Sequence, residues 1–310
     1  MPYALSNSIR LYYEESGSGT PIVFVHEYAN DMRGWESQIR YLSRDYHCIA
    51  YNARGYPPSD VPDRDDQYGQ DQAVDDIRAV LDSLHIDKAF LIGLSMGATA
   101  ALHFAMQYPH RVHGLVFASG GSGSDPESRE RFVEEANRAA DVFMAEGMQP
   151  FVEVMSYGPT RVQLLKKDPR SWEEFRQHLS EHSPLGAALT MRNYQAKRPS
   201  LLAYEEKLRD TIVPTLVVAG DEDDPVLETS IYLKRTMPAA GLVILPKTGH
   251  AVQLEEPVAF NSAVQGFLAA VERNRWGMRD ERAQAGRSAM LPDEYTATED
   301  VDSRTLSSRS

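Results

Sequence analysis

Residues 89–106 read Ala-Phe-Leu-Ile-Gly-Leu-Ser-Met-Gly-Ala-Thr-Ala-Ala-Leu-His-Phe-Ala-Met, a run without Asp, Glu, Lys or Arg. Its length lies at the lower limit for a membrane-spanning helix. Two glycines, Ser95, Thr99 and His103 make it a poor one. A different division fits the residues better. Ala89–Ile92 is apolar and short enough for a buried strand, Gly93-Leu-Ser95-Met-Gly97 is a sharp turn, and the alanine-rich stretch from Gly97 to Tyr108 is a helix that stops before Pro109. Such a turn forces the serine into a strained conformation and needs glycine two residues to either side for close packing. It lifts the hydroxyl clear of the sheet, and the helix N-terminus beneath supplies a positive dipole where an oxyanion would develop.

Outward from this unit, short apolar runs alternate with helical patterns, which predicts a mainly parallel sheet with helices on both faces. Ile9–Glu15, Pro21–His26, Tyr46–Asn52, Val112–Ala118, Pro214–Ala219 and Leu242–Leu245 read as strands. Helices are expected around Trp35–Leu42, Asp71–Leu84, Leu227–Arg235 and Val258–Glu272. In the second of these, Val74, Ile77, Val80, Leu81 and Leu84 recur at helical spacing. The alternation breaks after Ala118. A glycine- and serine-rich loop leads into purely helical patterns, separated by Gly158-Pro159, Asp168-Pro169, Ser183-Pro184 and Arg198-Pro199. The expected organisation is an α/β core of residues 1–120 and 209–273, an all-helical lid of residues 121–208 inserted into it, and a polar, poorly ordered C-terminal tail of residues 274–310.

Composition narrows the function classes. The 310 residues are 42% hydrophobic and 25% charged, enough apolar material for a sizeable core. Lys+Arg 32 against Asp+Glu 45 leaves a net charge of -13, which disfavours nucleic acid and anionic membrane surfaces as partners. A single cysteine, Cys48, excludes an internal disulfide framework and reads as a small core hydrophobe. No basic segment followed by an apolar run opens the chain, so a soluble, cytoplasmic protein is expected. There are no Cys/His clusters at metal-ligand spacing and no glycine-rich phosphate loop after the first strands, so neither metal nor cofactor is expected.

Serine is a weak nucleophile and needs a base, which needs an orienting acid. Lys247-Thr-Gly-His250 follows the strand Leu242–Leu245, and Gly220-Asp-Glu-Asp-Asp-Pro225 follows the strand Pro214–Ala219. Serine, acid and histidine therefore come in one order along the chain, each just after a buried strand. From Ile9 to about Glu272 the chain resembles the α/β-hydrolase fold superfamily, in its serine-nucleophile branch with a helical lid. The resemblance rests on the loop after Val25-His26, on Asn52-Ala-Arg54-Gly55 through Ser59-Asp60, on the Ser95 turn, on Gly220–Pro225 and on Thr248-Gly-His250. It implies Ser95 as nucleophile and His250 as base. It implies Asp223 as the acid, three residues after the strand-ending glycine, with Asp224 and Asp221 as alternatives.

The same resemblance implies an oxyanion hole from the backbone N–H groups of Met96 and Tyr28. Relatives read His-Gly-x where this chain has His26-Glu27-Tyr28. A carboxylate there would oppose a developing oxyanion unless it points away or is neutralised. We expect Glu27 to turn outward and hydrogen-bond its loop; the sharper alternative has it contact the substrate or a water. His26 is expected to be a hydrogen-bonding scaffold residue. The lid residues Phe143, Met144, Met148, Phe151, Val154, Met155, Tyr157, Trp172, Leu185, Leu189, Met191 and Tyr194 divide between lid packing and an apolar pocket, in proportions that sequence does not assign. The activity so implied is that of a serine esterase or lactonase, a carboxylic ester hydrolase acting on a small-molecule substrate. Alternatives on the same fold are a carbon–carbon bond hydrolase of ring-cleavage products, a cofactor-free perhydrolase or haloperoxidase side activity, and a triad-bearing ligand sensor. A homo-oligomer is compatible with all of them.

Overall fold

The computed structural model describes residues 2–283; most of the expected tail lies outside the described residues. Eight strands form one sheet: β1 (Tyr3–Ser6), β2 (Ile9–Ser16), β3 (Thr20–Val25), β4 (Tyr46–Tyr51), β5 (Ala89–Leu94), β6 (Val112–Ala118), β7 (Thr215–Gly220) and β8 (Ala240–Leu245). Their order is β1-β2-β4-β3-β5-β6-β7-β8, parallel from β4 onward, with β1 and β2 antiparallel at one edge. This is the α/β architecture expected from the alternation of apolar runs.

β1 was not among the expected strands. It pairs with β2 through the two-residue turn Asn7-Ser8, both at positive φ (46° and 69°). Such hairpin turns usually carry a glycine, and Asn-Ser lacks that signal.

The core strands are almost wholly buried because helices cover both faces. α1 (Glu36–Leu42) lies on one face. α2 (Gln70–Ser83) and α3 (Met96–Gln107) lie on the other, where Val74, Ile77, Val80 and Leu81 of α2 are fully buried. Each such side chain contributes about 1.5–3 kcal/mol of apolar burial. Between β6 and β7 the chain forms α4 (Pro126–Glu146), α5 (Gln149–Tyr157), α6 (Val162–Lys167), α7 (Pro169–Ser180), α8 (Pro184–Leu189), a π-helical turn at Thr190–Gln195, and α9 (Glu205–Asp210). Two of the X-Pro breaks seen in the sequence are helix starts. Asp168 and Ser183 accept the backbone N–H of Ser171 and Gly186 at 3.1 and 3.2 Å, each followed by proline at the first helical position. Asp125-Pro126 opens α4 in the same way.

The fold is completed by α10 (Asp224–Thr236), α11 (Val252–Glu255) and α12 (Pro257–Glu272). The polar stretch after Asn274 was expected to pack little, yet its first residues are fastened to the core. The Trp276 ring lies 4.8 Å from Phe267, its Nε1–H donates to Ala239 O at 2.8 Å, and Arg279 N–H donates to Pro238 O at 2.8 Å. A single aromatic side chain outweighs the polar composition around it.

The loop after β4 is rigid for a reason visible in its residues. Arg54 is buried and makes two bonds to Asp76 of α2, at 2.8 and 2.5 Å, and a third to Gln67 O at 2.7 Å. Asn52 accepts Met32 N–H at 2.9 Å and donates to Pro57 O at 2.7 Å, tying this loop to the one that follows β3. Replacing Asp76 by Ala would leave the Arg54 cation buried without its carboxylate, at a cost of about 3–5 kcal/mol. The expected result is a fall in melting temperature on the order of 10 °C. A thermal melt unchanged to within about 2 °C would refute that account of the loop.

Candidate active site

Ser95 stands between β5 and α3 with φ 53° and ψ −111°, a conformation non-glycine residues avoid and which costs about 1–3 kcal/mol. The surroundings impose it. The N–H of Ser95 donates to Ala118 O of the neighbouring strand at 2.8 Å, and its own C=O accepts Thr99 N–H at 3.1 Å, which starts the helix at once. A methyl group on Gly97 would lie 2.2 Å from Val25 O and 2.6 Å from His26 O; one on Gly93 would lie 2.5 Å from Gly97 O. All are backbone atoms that cannot yield. The glycines flanking Ser95 are therefore packing requirements of the turn, as the sequence pattern indicated.

His250 and Asp223 come from the loops after β8 and β7. His250 Nδ1–H donates to Asp223 Oδ2 at 2.7 Å, which leaves Nε2 as a free acceptor. Burial disfavours the charged imidazole, but Asp223 and then Glu27 outweigh it, so the His250 pKa is raised. Of the three candidate acids only Asp223 meets the histidine. Asp221 Oδ1 instead accepts Thr248 N–H at 3.1 Å and holds the two loops together. Asp224 opens α10 and lies on the cavity wall. Glu255, which sequence reading missed, is buried in α11. Its Oε2 accepts Gly249 N–H at 2.6 Å and its Oε1 accepts Ala251 N–H at 3.2 Å, clamping the peptides on both sides of His250. Glu255 lies five residues beyond His250, and only the fold of the intervening turn shows that it bonds back.

The expectation for Glu27 is overturned. Its carboxylate does not turn outward; it is 3% exposed and forms an ion pair with Arg161, itself fully buried in the turn before α6. Arg161 also lies over the Phe175 ring, 4.6 Å from its centroid. A buried carboxylate must be paired or neutralised, and the partner comes from a part of the chain 134 residues away. No local signal could have named it. Glu27 Oε2 lies 3.9 Å from His250 Nε2. His26 is the scaffold residue it was expected to be: Nδ1–H donates to Glu27 O at 2.7 Å and Nε2 accepts Ala53 N–H at 3.0 Å.

Met96 is the first residue of α3, where a backbone N–H has no partner within the helix. Tyr28 is held from two sides. Its phenol donates to Ala187 O at 2.9 Å and its carbonyl accepts the Tyr56 hydroxyl at 2.9 Å. Ser95, His250, Glu27, Tyr28 and Arg161 line one cavity of about 580 Å³. From the inserted helices Phe151, Met155 and Met191 reach its wall. Phe143, Met148, Trp172, Leu189 and Tyr194 are instead buried in packing, while Met144, Val154 and Tyr157 are exposed. Cys48 is buried in β4, and burial pushes its thiol pKa up to about 12, which removes it as a nucleophile. Among the described residues no group of His, Cys, Asp and Glu could hold a metal ion, and no helix is long and apolar enough to cross a membrane.

Comparison with known proteins matches residues 20–257 to the family model for the alpha/beta hydrolase fold. Among curated relatives, the 2-hydroxy-6-oxo-6-phenylhexa-2,4-dienoate hydrolase of Burkholderia cepacia is 28% identical over 280 residues, covering 86% of this chain and 93% of that one. Epoxide hydrolase 3 of Mus musculus is 26% identical over 286 residues, covering 86% and 76%. Among solved structures, a thermophilic esterase from Thermogutta terrifontis superposes with a TM-score of 0.78 at 27% identity, covering 87% of this chain and 98% of that one.

The charges around His250 make a prediction that needs no substrate. Its imidazole should titrate above the ordinary value of about 6.5. Asp223→Asn removes a carboxylate that favours the cation and should move the titration down. NMR of the ring nitrogens across pH measures this directly; a wild-type value below 6.5, or an upward shift in the variant, would contradict the arrangement.

Proposed function

We propose that this chain, which belongs to the alpha/beta hydrolase fold family, is a serine hydrolase that cleaves a small carboxylic ester or lactone through an acyl-enzyme intermediate. One observation carries this reading: Ser95, held on a strained strand-to-helix turn, shares a cavity with an imidazole whose far nitrogen is bonded to Asp223.

On this reading Ser95 Oγ attacks the carbonyl carbon while His250 Nε2 takes its proton. Asp223 keeps the imidazole in the Nδ1–H tautomer and stabilises the imidazolium. The N–H groups of Met96 and Tyr28 receive the oxyanion, a contribution of about 3 kcal/mol per donor. His250 then protonates the leaving oxygen, which departs as an alcohol or, for a lactone, stays tethered to the acyl group. Water attacks the acyl-enzyme, gives its proton to His250, and Ser95 leaves with that proton as the acid is released.

The helices between β6 and β7 act as the lid, bringing Phe151, Met155 and Met191 over the acyl group. A serine at the turn argues against epoxide opening by an aspartate nucleophile, in spite of the murine relative. The esterase of Thermogutta terrifontis supports ester cleavage. The Burkholderia relative, whose name describes a dienoate hydrolase, favours a second reading in which the same residues cleave a carbon–carbon bond beside a ketone.

Incubation with a fluorophosphonate followed by peptide mass analysis should place an adduct on Ser95, and Ser95→Ala should carry none. Against p-nitrophenyl esters, Asp223→Asn should lower kcat by roughly a thousandfold or more. Efficient turnover of 2-hydroxy-6-oxo-dienoates with negligible ester hydrolysis would replace the first reading by the second. An absence of adduct would sink both.

A further inference from the structure

Glu27 occupies a position where a glycine would serve the loop, and burying its charge is costly unless the charge is compensated. Arg161 compensates it incompletely. One guanidinium nitrogen meets Glu27 Oε2, while Glu27 Oε1 and Arg161 Nε have no hydrogen-bond partner and are closed off from water. A pair selected only for stability would close both bonds, since arginine and carboxylate fit as a two-pronged contact. Glu27 lines the cavity that holds Ser95 and His250, and its Oε2 is the oxygen that approaches the histidine.

The 3.9 Å between Glu27 Oε2 and His250 Nε2 is too long for a direct hydrogen bond and suits a small molecule touching both groups. The Nδ1–H of His250 is committed to Asp223, so Nε2 can only accept. Two acceptors facing one point call for a molecule with two O–H bonds.

Resting on the serine-hydrolase reading above, we propose that Glu27 is a further catalytic residue that orients the hydrolytic water jointly with His250. In deacylation the water oxygen bonds to the acyl carbon and one of its protons passes to His250 Nε2. The other proton stays on the water oxygen, hydrogen-bonded to Glu27 Oε2, which has a second lone pair beside the one that meets Arg161. The tetrahedral intermediate then expels Ser95 Oγ, which recovers the proton from His250, and the carboxylic acid leaves. Glu27 is unchanged throughout. Arg161 neutralises the carboxylate, so the oxyanion forming nearby meets no net charge from the pair.

The role is specific to water. An alcohol attacking the same acyl-enzyme has one O–H, which His250 takes, and nothing left for Glu27. The chain is thereby built to hydrolyse rather than to transfer acyl groups to alcohols. In Glu27→Gln the oxygen that faces Arg161 and the water becomes a neutral amide oxygen, a weaker acceptor than a carboxylate, so the second bond to water loses its charge assistance.

The test is the partition of the acyl-enzyme from p-nitrophenyl butyrate between methanol and water, read as the ratio of methyl butyrate to butyric acid. This ratio depends neither on the fraction of folded enzyme nor on the rate of acylation. It should rise about tenfold in Glu27→Gln, in keeping with the loss of charge assistance from one hydrogen bond. Fluorophosphonate labelling of Ser95 in both proteins checks the underlying reading. A ratio that stays the same or falls, with Ser95 still labelled, overturns the role of Glu27 alone. A wild-type protein that takes no label on Ser95 overturns the serine-hydrolase reading and this inference with it.

Discussion

Backbone carbonyls of Val25 and His26 reach so close to Gly97 that no side chain fits between them, and from this contact the geometry of the site follows. It brings the end of β3 against the first turn of α3 and leaves Ser95 no relaxed conformation between the last strand residue and the first helical one. The strain of a serine at positive φ is sustained by the surrounding sheet, whose central strands are buried on both faces. The same contact sets the loop after β3, with Tyr28 and Glu27, beside Ser95. Everything else converges on that point: β7 and β8 deliver Asp223 and His250 from the same end of the sheet, as is usual for parallel sheets.

Charge is organised around this frame in two shells of buried carboxylates. Asp223 orients the imidazole directly, while Glu255 acts on the backbone to either side of it and so fixes where the ring can sit. Glu27 approaches from the opposite side and draws Arg161 out of the inserted helices. That buried pair joins two parts of the chain that also meet through the more exposed ion pairs Arg33–Glu181 and Lys167–Glu256 and through bonds such as Tyr28 to Ala187 and Tyr194 to Met96. Closure over the cavity and electrostatics within it are therefore not separable. Moving the turn that carries Arg161 would leave Glu27 unneutralised beside His250.

Strand and helix positions were legible wherever burial imposed a pattern. β6 was read at its observed limits, and α2 within a residue of its own, because every turn of that helix presents an apolar side chain to the sheet. β1 escaped notice because Tyr3–Ser6 is four residues long and its turn, Asn7-Ser8, takes positive φ without glycine. Trp276 escaped for a related reason. It is one apolar residue in a polar stretch, and its place against Phe267 and Gly241 depends on where α12 lies rather than on its neighbours in sequence.

The residues that sequence determined by itself are those whose chemistry and local backbone coincide. Ser95 is marked by its glycines, and His250 and the acidic run from Asp221 to Asp224 by their distance from a strand end, because a strand places the residues just beyond it within a few ångströms. Tertiary structure alone decided between Asp221, Asp223 and Asp224, since three adjacent carboxylates differ only in the direction the loop gives each side chain. It alone turned Glu27 inward, because the energy of a buried carboxylate depends on its partner. That partner, Arg161, lies 134 residues further along the chain and is brought there by the packing of helices whose own sequence carries no sign of the encounter.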